Sequence, residues 1–228
     1  MKINGFQKLT LLDFPEKVAC IVFTAGCNFR CPFCHNASLV THIDNSNQIN
    51  EEEILEYLKK RKGIIEGVCI TGGEPLLQPD LEDFVIKVKD LGLAVKLDTN
   101  GSSPEKLISL VEKGLLDYVA MDIKNSKEKY SLTAGVETLN IENIEKSVEF
   151  LLQNHIPYEF RTTLVKDLHT PQDIVSIATW ISGSKKYFLQ NFVDSGDILG
   201  EKMAPLSQNE LENLLKTAQN SGLQAFIR

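Results

Sequence analysis

The chain has 228 residues, 43% hydrophobic and 24% charged, an ordinary composition for a globular protein. Its 24 lysines and arginines against 31 acidic residues leave a formal charge of −7. That argues against nonspecific nucleic-acid binding, which needs basic surface to neutralise phosphates. No apolar run reaches the length that spans a bilayer, and the N-terminus lacks the charged and apolar regions of a signal peptide. Five cysteines, an odd number, argue against a disulfide framework and fit a reducing cytoplasm. A chain of this length is expected to form one domain, residues 1–228.

In chain order, Val18 to Thr24 is apolar and β-branched, a predicted buried strand. It leads into Ala25-Gly26-Cys27-Asn28-Phe29-Arg30-Cys31-Pro32-Phe33-Cys34-His35-Asn36. Ser38 to Asn50 is polar and is expected to be irregular. Asn50 reads as an N-cap with Glu53 as its capping-box partner, opening a helix from Glu51 to Lys62. The basic run Lys59 to Lys62 is best read as cations at a helix C-terminus, closed by Gly63. Further strands are predicted at Gly67–Thr71, Leu93–Leu97, Tyr118–Ile123, Tyr158–Val165 and Tyr187–Val193, with a short closing strand at Leu223–Ile227. Helices are predicted between them at Asp80–Leu91, Pro104–Lys113, Ile141–Asn154, Pro171–Ile181 and Ser207–Asn220. This alternation predicts an α/β fold with βαβ units and a parallel sheet. Six βα units fall short of the eight of a closed barrel, so a partial parallel (β/α)6 barrel, open on one side, is expected.

The cysteine spacing C-x3-C-x2-C places three thiolates, Cys27, Cys31 and Cys34, on one short loop. They suit a cubane iron–sulfur cluster, which cysteine thiolates hold. Three ligands leave one of four irons open to a substrate or cofactor. The competing reading is structural zinc on Cys27, Cys31, Cys34 and His35. Adjacent Cys34 and His35 fit poorly around one tetrahedral ion. Cys20 and Cys69 lie in apolar runs and read as core residues.

The three cysteines, with Phe33 before the last, resemble the signature of the radical SAM superfamily. The continuation Cys34-His35-Asn36 is similar to the glycyl-radical enzyme activating family, which includes the activating proteins of pyruvate formate-lyase and of anaerobic ribonucleoside-triphosphate reductase. The opening Gly5 to Pro15 resembles the long form of the latter. The resemblance covers essentially the whole chain. It implies the same open barrel and a 4Fe-4S cluster held by Cys27, Cys31 and Cys34. It also implies S-adenosylmethionine chelated to the open iron, whose reductive cleavage gives a 5′-deoxyadenosyl radical. An oxygen-sensitive cluster implies an anaerobic setting.

Ligands of parallel α/β folds bind at the carboxyl ends of the strands, and the distinctive polar residues fall there. Gly72, Gly73 and Glu74 follow the second predicted strand and resemble the family's glycine-rich motif; the plainer alternative is a tight turn. Asp98 and Thr99 follow the third and can reach the ribose or methionine end. The resemblance implicates them in a monovalent cation site beside the cofactor; the alternative is a strand-to-helix turn. Asp122 and Lys124 alternate on one face. Lys124 suits the cofactor carboxylate or an internal salt bridge. Arg161 is costly to bury unpaired and resembles the family's arginine near the cofactor. Phe33 and Asn36 are expected to border the adenine. His35 has no settled role, and His42, His155 and His169 lack ligand spacing.

The expected function is an activase that takes a hydrogen atom from a glycine of a glycyl-radical enzyme, with anaerobic ribonucleoside-triphosphate reductase as the client. The resemblance implies a flavodoxin or ferredoxin as electron donor. One departure is visible. Leu189-Gln190-Asn191-Phe192 lacks the histidine that the pyruvate formate-lyase activating enzyme has in this region, which bears on the client. The rival readings are a radical enzyme acting on a small molecule and a zinc-stabilised binding protein.

Overall fold

A computed structural model describes residues 1–41, 43, 48–194 and 196–228. Eight strands form one sheet in sequential order: β1 Ile3–Thr10, β2 Ala19–Thr24, β3 Gly67–Gly72, β4 Ala94–Thr99, β5 Tyr118–Asp122, β6 Tyr158–Leu164, β7 Tyr187–Asn191 and β8 Ala225–Ile227. β1 pairs antiparallel with β2, and every later pair is parallel. β1 and β8 are the two edges, so the barrel is not closed. The helices are α1 Ala37–Thr41, α2 Glu51–Lys60, α3 Leu81–Asp90, α4 Pro104–Glu112, α5 Tyr130–Ala134, α6 Ile141–Leu152, α7 Pro171–Trp180 and α8 Gln208–Asn220. The six crossovers that the parallel strands require carry α2, α3, α4, α6, α7 and α8.

The two faces of the sheet differ in chemistry. Val22, Val68, Ile70, Val95, Leu97, Val119, Met121 and Phe160 are fully buried and join the apolar core with Phe84, Leu107, Val148 and Ile177 of the helices. The alternating residues face the barrel interior. Register aligns Cys69 with Lys96, Asp98 with Ala120, and Asp122 with Arg161. An apolar outer face and a polar inner face put the core between sheet and helices and leave the interior for a ligand.

Four local expectations are corrected. Asn50 caps α2 through the Glu52 N–H at 3.2 Å and forms no box with Glu53, and the helix stops at Lys60. β4 does not end at Leu97 but runs through Asp98 and Thr99, which pair with Ala120 and Met121. The opening segment forms β1. The stretch expected to be irregular begins with α1; its residues 44–47, and His42, lie outside the described residues. Among the described residues, no helix is long and apolar enough to cross a membrane.

Candidate active site

The cysteine loop leaves β2 at Thr24 and is fixed by its backbone. Gly26 N–H donates to Leu39 O at 2.8 Å, Arg30 N–H to Ala134 O at 2.8 Å, Cys34 N–H to Cys31 O at 3.0 Å, and Gly200 N–H to Pro32 O at 2.7 Å. Phe29 and Phe33 are buried and anchor the loop in the core. Gly135 caps α5 with φ 65°; a Cβ there would stand 2.1 Å from Arg30 O, so only glycine lets α5 support the loop this closely. Cys31 is buried, and Cys27 and Cys34 are half-buried. Burial pushes the Cys27 thiol up to about 12 despite the Phe29 N–H that points at its sulfur from 3.3 Å. Burial also raises Cys31, outweighing the nearby Lys124 cation.

The glycine motif meets the chain's own loop. Gly73 N–H donates to Thr24 O and Glu74 N–H to Gly26 O, both at 2.8 Å. Gly72 has φ 111°, and a Cβ on Gly73 would lie 2.0 Å from Gly26 O. The glycines therefore allow β3 to approach the start of the cysteine loop, and Asn36 Nδ2 closes the contact on Gly72 O at 3.2 Å. Glu74 is buried and turned away. Its carboxylate accepts from Leu76 N–H at 3.1 Å, Thr99 Oγ1 at 2.8 Å and Asn100 N–H at 2.7 Å. Burial raises its pKa to about 7 against those three donors.

The interior holds a linked set of charges. Arg161 Nη1 donates to Asp98 Oδ2 at 3.1 Å and Arg161 Nε to Asp122 Oδ1 at 3.0 Å. Lys124 Nζ reaches Asp122 Oδ2 at 3.0 Å. Lys96, fully buried, donates to Asp98 Oδ1. Burial opposes ionisation of Asp122, but Lys124 and Arg161 hold its carboxyl down to about 2. Asp98 is held below the usual carboxylate range, where Arg161 and Lys96 outweigh its burial. Burial is likewise outweighed at Lys124, whose pKa Asp122 and Cys31 raise.

Of the histidines, His169 is structural. Its Nδ1 accepts from Val165 N–H at 3.1 Å and its Nε2 faces Lys124 O at 2.9 Å, a neutral tautomer that burial favours and that fixes the strand end bearing Lys124. His35 lines the cavity with its ring 5.5 Å from Phe192. Partial burial, then Lys124, lowers its pKa. His155 contacts Gln153 at 2.9 Å, away from the site.

A cavity of about 450 Å³ joins these parts. Every residue predicted for the site lines it except Glu74, which acts behind the wall. Asp13 and Arg228, on the segments that follow the edge strands β1 and β8, also line it. Arg228 Nη1 pairs with Glu159 Oε1 at 2.7 Å, and its guanidinium lies 3.9 Å from the Phe188 ring centre. Sequence reasoning placed Asn100 with Asp98 and Thr99 at a strand end, and missed Asp13, Arg228 and Lys96. Lys96 could have been found: it lies two residues before Asp98, on the same face of an apolar strand, the argument that singled out Arg161.

The Radical SAM superfamily model matches residues 21–181. The chain belongs to the radical SAM superfamily. As a radical SAM enzyme, it uses a 4Fe-4S cluster and S-adenosylmethionine as cofactors. A Methanocaldococcus jannaschii protein named "Putative glycyl-radical enzyme activating enzyme" is 32% identical over 95% of this chain, which covers 91% of that protein. The pyruvate formate-lyase-activating enzyme of Clostridium pasteurianum is 28% identical over 65% of this chain, which covers 63% of its length. The crystal structure of a domain of the Bacteroides vulgatus pyruvate-formate lyase-activating enzyme superposes with a TM-score of 0.59 at 20% identity, over 71% of this chain and 98% of that one, which shows a shared fold.

The donor set of this radical SAM enzyme suits a cluster better than zinc. Adjacent Cys34 and His35 fit poorly around one tetrahedral ion, whereas each thiolate of a cubane binds a different iron. Cys27, Cys31 and Cys34 face one cavity, whereas Cys20 and Cys69 are fully buried in β2 and β3.

Proposed function

We propose that this radical SAM enzyme is an activase, taking one hydrogen atom from a backbone glycine of a partner glycyl-radical enzyme. The observation that carries the reading is the course of the cavity. Its wall joins the cysteine loop to Asp13 and Arg228, which follow the edge strands β1 and β8, and in this reading the partner's glycine segment enters where the sheet is not closed. The likeness to the Methanocaldococcus jannaschii protein over most of both chains supports the same reading. The opening segment favours anaerobic ribonucleoside-triphosphate reductase as the client. A flavodoxin or ferredoxin would supply the electron, in an anaerobic cytoplasm.

In this reading Cys27, Cys31 and Cys34 hold the cluster. Together, cluster and S-adenosylmethionine supply a carbon radical able to take hydrogen from an unactivated C–H bond. The chain's own work is positioning. Lys124 and Arg161 present cations to the cofactor carboxylate, with Asp122 fixing both. Gly72 and Gly73 bring backbone to the methionine amino group, and Glu74 secures Thr99 and Asn100 from behind. Asp98 and Thr99 line the ribose or methionine end, and Phe33 and Asn36 border the adenine.

The test is anaerobic incubation of the reconstituted, reduced protein with S-adenosylmethionine and the candidate reductase. A glycyl-radical doublet by electron paramagnetic resonance is expected with the wild type and not with Cys31→Ala. Formation of 5′-deoxyadenosine without a doublet, in step with consumption of a metabolite, would replace the activase with an enzyme of small molecules.

A further inference from the structure

The oxygens of Asp98 and Thr99 that would hold a monovalent cation are already engaged by groups of the chain. A hard cation needs oxygen lone pairs turned toward it. Here each carboxylate oxygen already accepts from a cation of the chain. Asp98 Oδ1 takes the Lys96 ammonium and Asp98 Oδ2 takes Arg161 Nη1. Asp122 gives one oxygen to Arg161 and the other to Lys124. Thr99 Oγ1 donates to Glu74 at 2.8 Å and accepts from Gly101 N–H at 3.1 Å.

Lys96 is the unusual member. It is 1% exposed and lies within 3.7 Å of the Cys69 sulfur, in surroundings where an ammonium is costly unless a carboxylate answers it. β4 holds it one pleat below Asp98 on the same inward face, so its charge reaches the carboxylate from the barrel floor and leaves the cavity side clear. Within this ion-paired set Lys96, Arg161 and Lys124 answer Asp98 and Asp122, so Asp98 already holds two cations before any metal ion is added.

We propose that the Lys96 ammonium is a built-in replacement for the monovalent cation, so that this enzyme binds S-adenosylmethionine without sodium or potassium. The proposal rests on the cofactor assignment and makes Lys96 a positioning residue, acting on the cofactor through Asp98 and Arg161.

Calorimetric titration of S-adenosylmethionine into the cluster-loaded protein tests it, in sodium, potassium or tetramethylammonium chloride at equal ionic strength. The wild-type Kd is expected to agree within about twofold across the three salts. Lys96→Met, or Lys96→Gln if the methionine variant does not fold, opens the place on Asp98. Its affinity should drop at least tenfold in tetramethylammonium and recover at least fivefold in sodium or potassium. Sodium-23 resonances should broaden with the variant and not with the wild type. A wild type that loses affinity fivefold or more in tetramethylammonium overturns the proposal, as does a variant indifferent to the salt. Absence of binding in every salt by wild type carrying a full cluster refutes the cofactor assignment itself, a different result from either.

Discussion

Glu74 shows how a motif residue can serve a site without facing it. The sequence placed it with Gly72 and Gly73, and the local turn was legible. Its direction was not, because that depends on Thr99 and Asn100, 25 and 26 positions away, supplying donors. Its carboxyl is raised from 4.5 to about 7, so the fold favours the protonated form. A raised acid contributes stability that is fully present below its ordinary value and lost as pH rises through about 7. The gap is of order 3 kcal/mol. Wild-type stability, from denaturant midpoints, should therefore fall relative to Glu74→Gln between pH 5 and pH 8. Comparing the two proteins removes His35 and His169, whose lowered pKa values act with the opposite sign. At low pH the glutamine should be the less stable by about 1–3 kcal/mol, because its amide nitrogen would face the Asn100 N–H. Parallel pH profiles would show that Glu74 stays ionised throughout.

At the scale of elements, the parallel strands were legible because burial on both faces makes them continuous apolar runs, and their ends located most of the cavity. Three elements were not. β1 is a half-exposed antiparallel edge with register shifts at both ends, so Ile3 to Thr10 shows no clean alternation. α1 and α5 have five residues each, too few for a helical period to declare itself, yet α5 supplies the Ala134 carbonyl that holds Arg30. The contact between β3 and the cysteine loop was half visible. The glycines announced a close approach, but the partner is Gly26 and Thr24 of the chain itself as well as the cavity. Gly73→Ala must push the Gly26 peptide aside, since the new Cβ would meet backbone and not a side chain that can swing away. Iron and sulfide per chain after reconstitution should fall below half of the wild-type value, while far-UV circular dichroism stays that of a folded barrel. Full cluster content in the variant would mean that Gly26 can move without carrying Cys27 with it.

At the scale of the whole molecule, the three cysteines proposed to hold the cluster are built onto a scaffold held by other contacts. The apolar core lies chiefly between the sheet and the helices, on the opposite side of the strands from the charged interior, and it reaches the cysteine loop through Phe29, Cys31 and Phe33. The loop itself is tied down by Gly26 to Leu39, Arg30 to Ala134 and Gly200 to Pro32, none of which involves a thiol. The interior carboxylates Asp98 and Asp122 are likewise held by cations of the chain itself, Lys96, Arg161 and Lys124. A zinc finger differs, because its metal supplies most of the folding free energy. Chelation of iron should therefore leave this protein with its far-UV circular dichroism and one cooperative thermal transition. The transition should move down by no more than several degrees, since a group that binds only the folded chain adds to stability by mass action. Cluster loss should register instead as faster proteolysis within Cys27 to Asn36, where buried thiols lose the irons that would link them. If chelation abolishes the cooperative transition, the loop contacts are too weak to hold the top of the barrel, and the cluster belongs to the fold as much as to the chemistry.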